Sequence, residues 1–490
     1  MTMTTPAVQP SPLVADFCAI LPPECVVHDP VGLRTYECDG LTGFRVIPAV
    51  VVLPRTTAEV AACVRVCAAR GVPFVARGAG TGLSGGALPV AEGVVISLQK
   101  LRRIIEIDAE NRRAVLEPGV TNLAITQAAA PHGLYYAPDP SSQQVCTIGG
   151  NVAENSGGAH CLKYGFTSNH VLEVEVVLPD GSIVTLGGPG PEQAGPDLRG
   201  LFIGSEGTLG ICTRVTVRLL RVPETVRTVL ADFPSIEAAG RTVGDIVDAS
   251  IVPAAVEMMD SLAMEAAEAA VHAGYTLDAP AALIVELDGP VEECEAQFAQ
   301  ITALCERNGA TRIHVPGSAA ERAVVWKGRK AAFAAVGRIS PDYIVQDGVV
   351  PRTRLAEVLT RIAQMGAQAG LRVANVFHAG DGNLHPLVLY SEAAGELHRA
   401  EELSTQIAEL CVELGGSLSG EHGIGTDKAC SMPVMFSEDD LAVQLRVRSG
   451  FDPRGLSNPG KVFPTPRLCG EKPGKYRAHP LEEAGVIERL

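Results

Sequence analysis

The feature that most constrains this fold is a loop, Gly78–Gly86, in which five of nine residues are glycine. Gly80, Gly82 and Gly85 match the pattern G-x-G-x-x-G after a predicted strand. A dinucleotide-binding fold starts a helix in this pattern, so that the helix N-terminus meets the pyrophosphate. Here Pro89 and another predicted strand follow instead, which argues against a Rossmann fold. The loop still offers closely spaced backbone N–H groups, which predicts anion binding.

Two later segments are similarly rich in small and polar residues. They are Pro138-Asp139-Pro140-Ser141 with Thr147-Ile148-Gly149-Gly150-Asn151 and Asn155-Ser156-Gly157-Gly158, and Gly204-Ser205-Glu206-Gly207-Thr208-Leu209-Gly210-Ile211. A single phosphate would need only one such contact. Several of them predict a large polar cofactor with a ring system and a diphosphate.

Short strands and helices alternate along the chain, which indicates an α+β or α/β fold. The spacing predicts a strand over 46–53 and a helix over 57–70, capped by Thr56 or Thr57 and by Gly71. From Thr225 the chain alternates strands and helices without glycine loops. This alternation predicts a second domain that covers one face of an antiparallel sheet.

Composition excludes several classes of function. The 490 residues carry a formal charge of −16, which disfavours a nucleic-acid-binding protein. The longest apolar run, near 46–54, is too short for a membrane span. The first residues, 1–13, lack the basic flank of a signal peptide. Thirteen cysteines without a C-x-x-C pair fit reduced thiols in a cytoplasmic protein.

A second site is indicated by Val376-Phe377-His378-Ala379-Gly380-Asp381-Gly382-Asn383-Leu384-His385-Pro386. Asp381-Gly382 is a two-residue hairpin signal, which predicts that His378 lies directly opposite His385. Such partners are close enough to bind one metal ion. Glu421, between small residues, offers a third ligand, and its neighbour His422 is expected to point elsewhere. Two histidines and a carboxylate suit Zn, Mn or Fe with an open position for substrate.

The glycine loop, the Pro-Asp-Pro-Ser stretch and Gly-Ser-Glu-Gly-Thr-Leu-Gly-Ile resemble the FAD-binding domain of the vanillyl-alcohol oxidase superfamily. The resemblance implies two α+β subdomains that hold FAD, with the diphosphate at the loop. It implies the following cofactor-binding residues: Arg77, Gly78, Ala79, Gly80, Thr81, Gly82, Ser84, Gly85, Pro138, Ser141, Thr147, Gly150, Asn151, Asn155, Ser156, Glu206, Gly210, Ile211 and Asn458. Covalent members carry a histidine in this loop and this chain does not, so non-covalent FAD is expected.

His-Ala-Gly-Asp-Gly-Asn-Leu-His and Gly-Glu-His-Gly-Ile-Gly resemble the C-terminal half of FAD-linked D-2-hydroxyacid dehydrogenases. This family includes D-lactate and D-2-hydroxyglutarate dehydrogenases and the flavin-containing glycolate oxidase subunit, whose motifs are nearest. The resemblance implies that His378, His385 and Glu421 bind the metal and that His422 is the base. It also implies that Arg329 binds the substrate carboxylate and that Asn383 faces substrate. Phe333 and Val345, where larger members carry polar groups, favour glycolate or D-lactate.

The resemblance implies a ferredoxin-like antiparallel-sheet cap domain beside the FAD domain. We expect an arm over 1–45, the FAD domain over 46–222, the substrate and metal cap over 223–430, a helical return over 431–465 and a tail over 466–490. It also implies iron–sulfur and second flavoprotein subunits, which would hold a cytoplasmic chain peripherally at the inner membrane. Three alternatives stay open: a metal-dependent hydrolase, a non-catalytic electron-transfer subunit and, less favoured, an NAD enzyme.

Overall fold

The structure, a computed structural model, describes residues 11–190 and 195–464. Its first sheet holds four strands in the order Val26–Val27, Val50–Val52, Val94–Ser97 and Phe74–Arg77. The strand predicted over 46–53 begins only at Val50, because Pro48 has no N–H to pair. The helix Thr57–Arg70 has its predicted limits: Thr56 accepts the amide of Glu59, and Gly71 ends it at φ 65°.

A second sheet of five strands lies beside the first among the described residues. Its order is Ile104–Asp108, Arg113–Leu116, Ile211–Arg218, Val171–Val177 and Ile183–Gly187. A short pair, Leu134–Tyr135 with Leu220–Arg221, accompanies it. The two sheets have separate apolar cores. The glycine-rich segments connect these strands and therefore lie at the sheet ends.

The largest sheet is antiparallel and has eight strands in the described part of the chain. Its order is Arg312–His314, Thr225–Phe233, Ala281–Gly289, Ala255–Asp260, Arg372–His378, Asn383–Tyr390 and Asp342–Val345, with Gly348–Val349 paired to Asn383–Tyr390. The central strand Ala281–Gly289 is buried at seven successive positions. A strand buried at every position must be covered on both faces.

Helices do cover both faces of this sheet, so the expectation of a single covered face is wrong. One face packs against Ile236–Asp248, Val291–Arg307, Leu355–Ala369 and Leu397–Glu413. The other packs against Ser261–Val271 and Ala319–Ala335. Since residues alternate along a strand, Glu257, His378 and His385 all point to this second face.

The remaining described helices are shorter or lie at the ends of the described chain. They are Pro12–Ile20, Pro30–Arg34, Asn122–Ala129, Ile148–Glu154, Cys161–Tyr164, Thr167–His170, Leu198–Phe202, Met432–Met435 and Glu438–Phe451. After the last of these, Asn458 donates its amide to Phe74 and so returns the chain to the first sheet. The cysteines of the described residues are free thiols, as predicted. The predicted tail over 466–490 lies outside the described residues.

Candidate active site

The glycine loop follows the strand Phe74–Arg77 and runs to the next strand with no helix between, as predicted. Gly80 and Gly85 have φ values of 72° and 80°, which favour glycine. A Cβ on Gly78 would lie 2.5 Å from Thr147 Oγ1, so only glycine allows this close approach. Among the described residues, the loop amides of Gly80 and Gly82 donate no hydrogen bond. Such free amides fit a cofactor diphosphate.

A cavity of about 370 Å³ lies against this loop. Most of the predicted cofactor-binding residues line it: Arg77, Gly78, Ala79, Gly80, Thr81, Gly82, Ser141, Thr147, Gly150, Asn151, Ser156, Glu206, Gly210 and Ile211. Phe333, Glu421 and His422 line the same cavity from the side of the large sheet. The fold therefore brings the glycine loop and the second predicted site to one space.

Five predicted cofactor-binding residues do not line the cavity and instead support its walls. Asn458 donates its side-chain amide to the carbonyls of Gly86 and Glu206, which joins two of the glycine-rich loops. The carbonyl of Ser84 accepts the amides of Thr426 and Asp427. The other three hold neighbouring backbone: Pro138 accepts the Asn122 amide, Asn155 accepts the amide of Ser168, and Gly85 packs on Thr426.

The hairpin register differs from the prediction by two residues. His378 pairs with Asn383, and His385 pairs with Val376, so the loop has four residues rather than two. The longer loop is fixed by tertiary contact, since Gly382 packs against the carbonyl of Val350. An even shift leaves each side chain on its own face. The two imidazoles therefore still meet, diagonally, with ring centroids 5.1 Å apart.

His378, His385 and Glu421 come together. Glu421 Oε1 lies 3.4 Å from His378 Nε2 and 3.1 Å from His385 Nε2. One ligand atom of each residue lies within 4.8 Å of the others. Both ring nitrogens of His385 are buried, and in the described structure neither makes an aligned hydrogen bond, although Nε2 lies close to the Glu421 carboxylate. Buried polar atoms are normally bonded, so this donor set fits a divalent metal ion.

Glu257 is a residue that sequence reasoning missed. Its Oε1 lies 2.7 Å from His378 Nδ1, and its Oε2 lies 2.5 Å from Arg329 Nη2. The first contact orients His378 so that Nε2 faces Glu421, the arrangement of a carboxylate–histidine–metal triad. The second holds the fully buried Arg329. Burial alone would lower the pKa of His378, but the charge of Glu257 raises it well above its usual range.

Asp347 was missed as well, and it shapes the loop that carries Glu421. Its carboxylate accepts the amides of three successive residues, Gly420, Glu421 and His422, and the hydroxyl of Ser419. These bonds curl the loop, so neighbouring side chains do not alternate as they would in an extended strand. Burial would raise the pKa of Asp347, but His422 and Lys428 hold it at about 2.

The expectation that His422 points elsewhere is wrong, because the curled loop brings its ring onto His385. The ring centroids are 4.8 Å apart and nearly parallel, and His422 Nε2 lies 3.7 Å from Glu421 Oε1. Burial lowers the pKa of His422 to about 4, which keeps its ring neutral at pH 7. Phe333 packs edge-on against the other side of His385, at 5.3 Å.

Arg329 and Asn383 lie behind the cavity wall. Arg329 is 2% exposed, and its guanidinium lies over the ring of Phe333. Its Nε has no partner within the described chain. Asn383 packs against Gly420 so closely that a Cβ there would lie 2.5 Å from its Cγ. We name Glu257, Arg329, Asp347, His378, His385, Glu421 and His422 the central cluster.

A second network is half-buried around the buried Glu286. We name it the clamp, and it consists of Asp139, His160, Glu286, Trp326 and Lys330. His160 Nδ1 lies 3.0 Å from Asp139 Oδ1 and Nε2 lies 3.3 Å from Glu286 Oε1. Trp326 donates its indole N–H to Glu286 at 2.6 Å. Lys330 binds Asp139 at 3.1 Å. The clamp joins the loops near the cavity to the large sheet.

Two protein families match the chain over the regions just described. The family described as "FAD binding domain" matches residues 48–187, and that described as "FAD linked oxidases, C-terminal domain" matches residues 222–462. The chain belongs to the FAD-linked oxidases. It is therefore a flavoprotein oxidoreductase with FAD as its cofactor, which disfavours the hydrolase and NAD alternatives.

Relatives of this FAD-linked oxidase carry names of the family recognised in the motifs. It is 51% identical to the glycolate oxidase subunit GlcD of Escherichia coli over 91% of this chain and 90% of that protein. It is 38% identical to GlcD of Bacillus subtilis, over 90% of this chain and 94% of that protein. It is 33% identical to a D-lactate dehydrogenase of Archaeoglobus fulgidus, over 84% of this chain and 91% of that protein.

Solved structures confirm the predicted fold. Substrate-bound p-cresol methylhydroxylase has a TM-score of 0.77 at 18% identity, over 92% of this chain and 96% of that chain. An alkyldihydroxyacetonephosphate synthase has a TM-score of 0.71 at 19% identity, over 91% and 84%. At these identities the likeness concerns the fold alone. Within the described residues, no helix combines the length and apolarity that crossing a bilayer requires.

Proposed function

We propose that this FAD-linked oxidase converts a small D-2-hydroxy acid, glycolate or D-lactate, to the 2-oxo acid. The observation that carries the proposal is the meeting of His378, His385, Glu421 and His422 at one end of the cavity lined by the glycine loop. The relatives named for glycolate and D-lactate support the substrate class. An electron-transfer subunit without catalysis would not need this cluster.

His378, His385 and Glu421 would hold a divalent metal, Zn, Mn or Fe. Metal ligation requires neutral imidazole, so binding would release the proton that Glu257 favours on His378. When bound, the metal supplies a Lewis acid that lowers the pKa of a hydroxyl group. His422 has a neutral ring beside Glu421, so its Nε2 would accept the hydroxyl proton of the substrate.

Arg329 would fix the substrate carboxylate, held in place by Glu257. Its Nε lacks a partner among the described residues, which leaves a donor for an anion. Asn383 would add an amide contact, since its Oδ1 is also unpartnered there. Phe333 borders the cavity with an apolar ring, and the aliphatic side chain of Val345 lines a neighbouring cavity. This border favours an acid without a second carboxylate.

The glycine loop and the other cavity-lining residues would hold FAD without a covalent bond. The loop Arg77–Gly86 contains no histidine that could attach to the flavin. FAD supplies the acceptor for the hydride that leaves C2 of the substrate. Denaturation of the purified protein should release all flavin into the supernatant, and flavin that stays with the polypeptide would contradict this part of the proposal.

We infer that the chain passes electrons to partner subunits, because the GlcD relatives are named as subunits of a glycolate oxidase. The family resemblance of the motifs implies that these partners would be an iron–sulfur protein and a second flavoprotein. Such partners would hold a cytoplasmic protein peripherally at the inner membrane. Co-purification of the tagged chain from its own cells, followed by iron and flavin analysis of the captured proteins, tests this inference. Capture of the tagged chain alone would contradict it.

The experiment that tests the proposed reaction is anaerobic reduction of the bound flavin. Glycolate, D-lactate, L-lactate and D-2-hydroxyglutarate would each be mixed with the purified protein under one set of conditions. We expect fast loss of flavin absorbance with glycolate or D-lactate, and slow or no loss with the other two acids. A flavin that none of the four acids reduces would overturn the proposal.

A further inference from the structure

Beside the flavin cavity lies a carboxyl group that the proposed mechanism does not use. Glu154 is the last residue of the helix Ile148–Glu154 and lines the cavity together with Gly82 and Gly86. A Cβ on Gly86 would lie 2.5 Å from Glu154 Oε1, so the glycine permits this approach. On its other side, Glu154 Oε2 packs against Gly423. Glu154 thus fills the gap between the glycine loop and the loop of the central cluster.

Within the described chain, no group stabilises a negative charge on Glu154. Its Oε2 is buried without any hydrogen-bond partner. The carboxylates that face it, Glu206 and Asp39, repel a second negative charge. The helix C-terminus adds the negative end of its dipole. An ionised carboxylate that is buried without donors is strongly destabilised, whereas a protonated one does not carry that cost.

Glu206 shows the opposite arrangement a short distance away. Its two oxygens accept the amides of Ile424 and Gly425, each at 2.7 Å. Burial raises the pKa of Glu206 to about 7, and these two amides together with the charges of Lys428 and Lys461 keep it from rising further. Burial also raises the pKa of Asp39, and the amides of Leu41 and Ala87 and the charges of Arg77 and Lys461 oppose that rise. Donors and cations therefore offset burial at the two neighbouring carboxylates and not at Glu154, which is the group of the three that holds a proton most strongly. Burial and these charges raise the pKa of Glu154 well above its usual range.

We propose that Glu154 is a neutral carboxylic acid whose O–H is a hydrogen-bond donor to the flavin. This rests on the proposed placement of FAD in the cavity, though not on the identity of the substrate. A neutral donor supports the negative charge that a hydride brings to the flavin, whereas a carboxylate at the same place would oppose it. Glu154 would then be a positioning and tuning residue of the cofactor rather than the base of the reaction.

Infrared difference spectroscopy tests the protonation state. Wild-type holoprotein and Glu154→Gln would be compared at pH 7, with the measurement repeated on apoprotein. We expect the substitution to remove a carboxylic acid C=O band in both forms, because glutamine has the same shape and no titratable proton. Loss of a carboxylate band instead, or loss of no carboxyl band, would overturn the proposal.

FAD affinity and the flavin midpoint potential test whether the Glu154 O–H donates its hydrogen bond to the flavin. Glu154→Gln keeps a neutral donor, so its FAD affinity should stay within about threefold of wild type. Glu154→Met keeps the volume and removes the donor. It should bind FAD about fivefold to tenfold more weakly and show a lower flavin potential. Equal FAD affinity and potential in Glu154→Met and Glu154→Gln would contradict a hydrogen bond to the flavin.

The controls separate this proposal from the proposed reaction and from misfolding. Thermal unfolding of each apoprotein reports folding, and Glu154→Gln alone suffices for the infrared test if Glu154→Met does not fold. The infrared and FAD-binding results do not depend on any substrate. If none of the four hydroxy acids reduces the flavin, the infrared and FAD-binding results therefore still decide the assignment of Glu154.

Discussion

The central cluster and the clamp are built from the same kinds of side chain and differ in how completely they are bonded. Both lie on the same face of the large sheet, and the helix Ala319–Ala335 serves both: Arg329 for the central cluster, Trp326 and Lys330 for the clamp. Within the described structure, every buried polar side-chain atom of the clamp has a partner. In the described part of the central cluster, Arg329 Nε has no partner and the ring nitrogens of His385 make no aligned hydrogen bond.

This difference separates a structural network from a binding site. A buried charged group without partners destabilises a fold, so such groups are retained where a ligand completes them. The clamp is complete and needs no ligand, which suits a role in joining the loops near the cavity to the large sheet. The central cluster is complete only with a metal ion and a carboxylate. The comparison predicts that clamp variants change stability and that central-cluster variants change chemistry.

The largest expected effect is on the base. His422→Asn should slow anaerobic flavin reduction by about 10³-fold, since asparagine cannot accept the proton. Bound FAD and metal content should stay near wild type, measured by absorbance and by metal analysis. The clamp variant His160→Gln is the control, and its flavin should be reduced at nearly the wild-type rate. Near-normal reduction in His422→Asn would exclude its role as the base.

A clamp variant should give the next largest effect, on stability. Glu286→Gln leaves the His160 cation with one carboxylate instead of two, and we expect a loss of about 3 kcal/mol in unfolding free energy. Urea unfolding of the apoprotein measures this loss. Glu413→Gln removes an exposed partner of Arg361, and it should leave the unfolding free energy nearly unchanged because water screens this pair. Equal losses in the two variants would refute the structural role of the clamp.

Glu257 should affect metal binding without contacting the metal. Glu257→Gln weakens the orientation of His378, so metal affinity should fall about tenfold to hundredfold, measured by competition with a chelator. Glu286→Gln is the matched control on the same sheet face and should leave metal affinity unchanged. An unchanged affinity in Glu257→Gln would mean that His378 does not need this partner or does not bind the metal.

The smallest effect is a pH dependence that belongs to the clamp. Burial alone would lower the pKa of His160, but Asp139 and Glu286 raise it to about 10. A histidine whose pKa is raised by folding gives its full stabilisation at pH values below its pKa in the unfolded chain, which is near 6.5. This stabilisation is lost as the pH rises towards 10. Between pH 7 and 8.5, wild type should lose about 1 to 2 kcal/mol more unfolding free energy than His160→Gln. Parallel pH profiles of the two proteins would contradict the raised pKa.

Local signals were sufficient for the elements with complete caps. The helix Thr57–Arg70 has its predicted limits because Thr56 and Gly71 fix its ends within the sequence itself. The hairpin loop was predicted two residues too short because its length depends on a distant contact between Gly382 and Val350. The sheet face of each side chain was still predicted correctly, because a register shift of two residues returns every side chain to the same face.

The orienting carboxylates could not be found by spacing. Glu257 stands between apolar residues on both sides in the strand Ala255–Asp260, and a charged residue at that position was the available signal. Asp347 follows the edge strand Asp342–Val345, and its bonds to the amides of residues 420–422 arise only in the folded chain. The covering of both sheet faces was indicated by the unbroken apolar run at the start of Ala281–Gly289, which lacks the alternation of a half-exposed strand.

The most direct test of the account is anomalous X-ray diffraction from crystals of the metal-loaded holoprotein. The account predicts one strong anomalous peak at about 2.0 to 2.2 Å from His378 Nε2, His385 Nε2 and a Glu421 oxygen, on the side of the flavin ring. A metal peak bound by other residues, or a flavin ring facing away from these three groups, would contradict it.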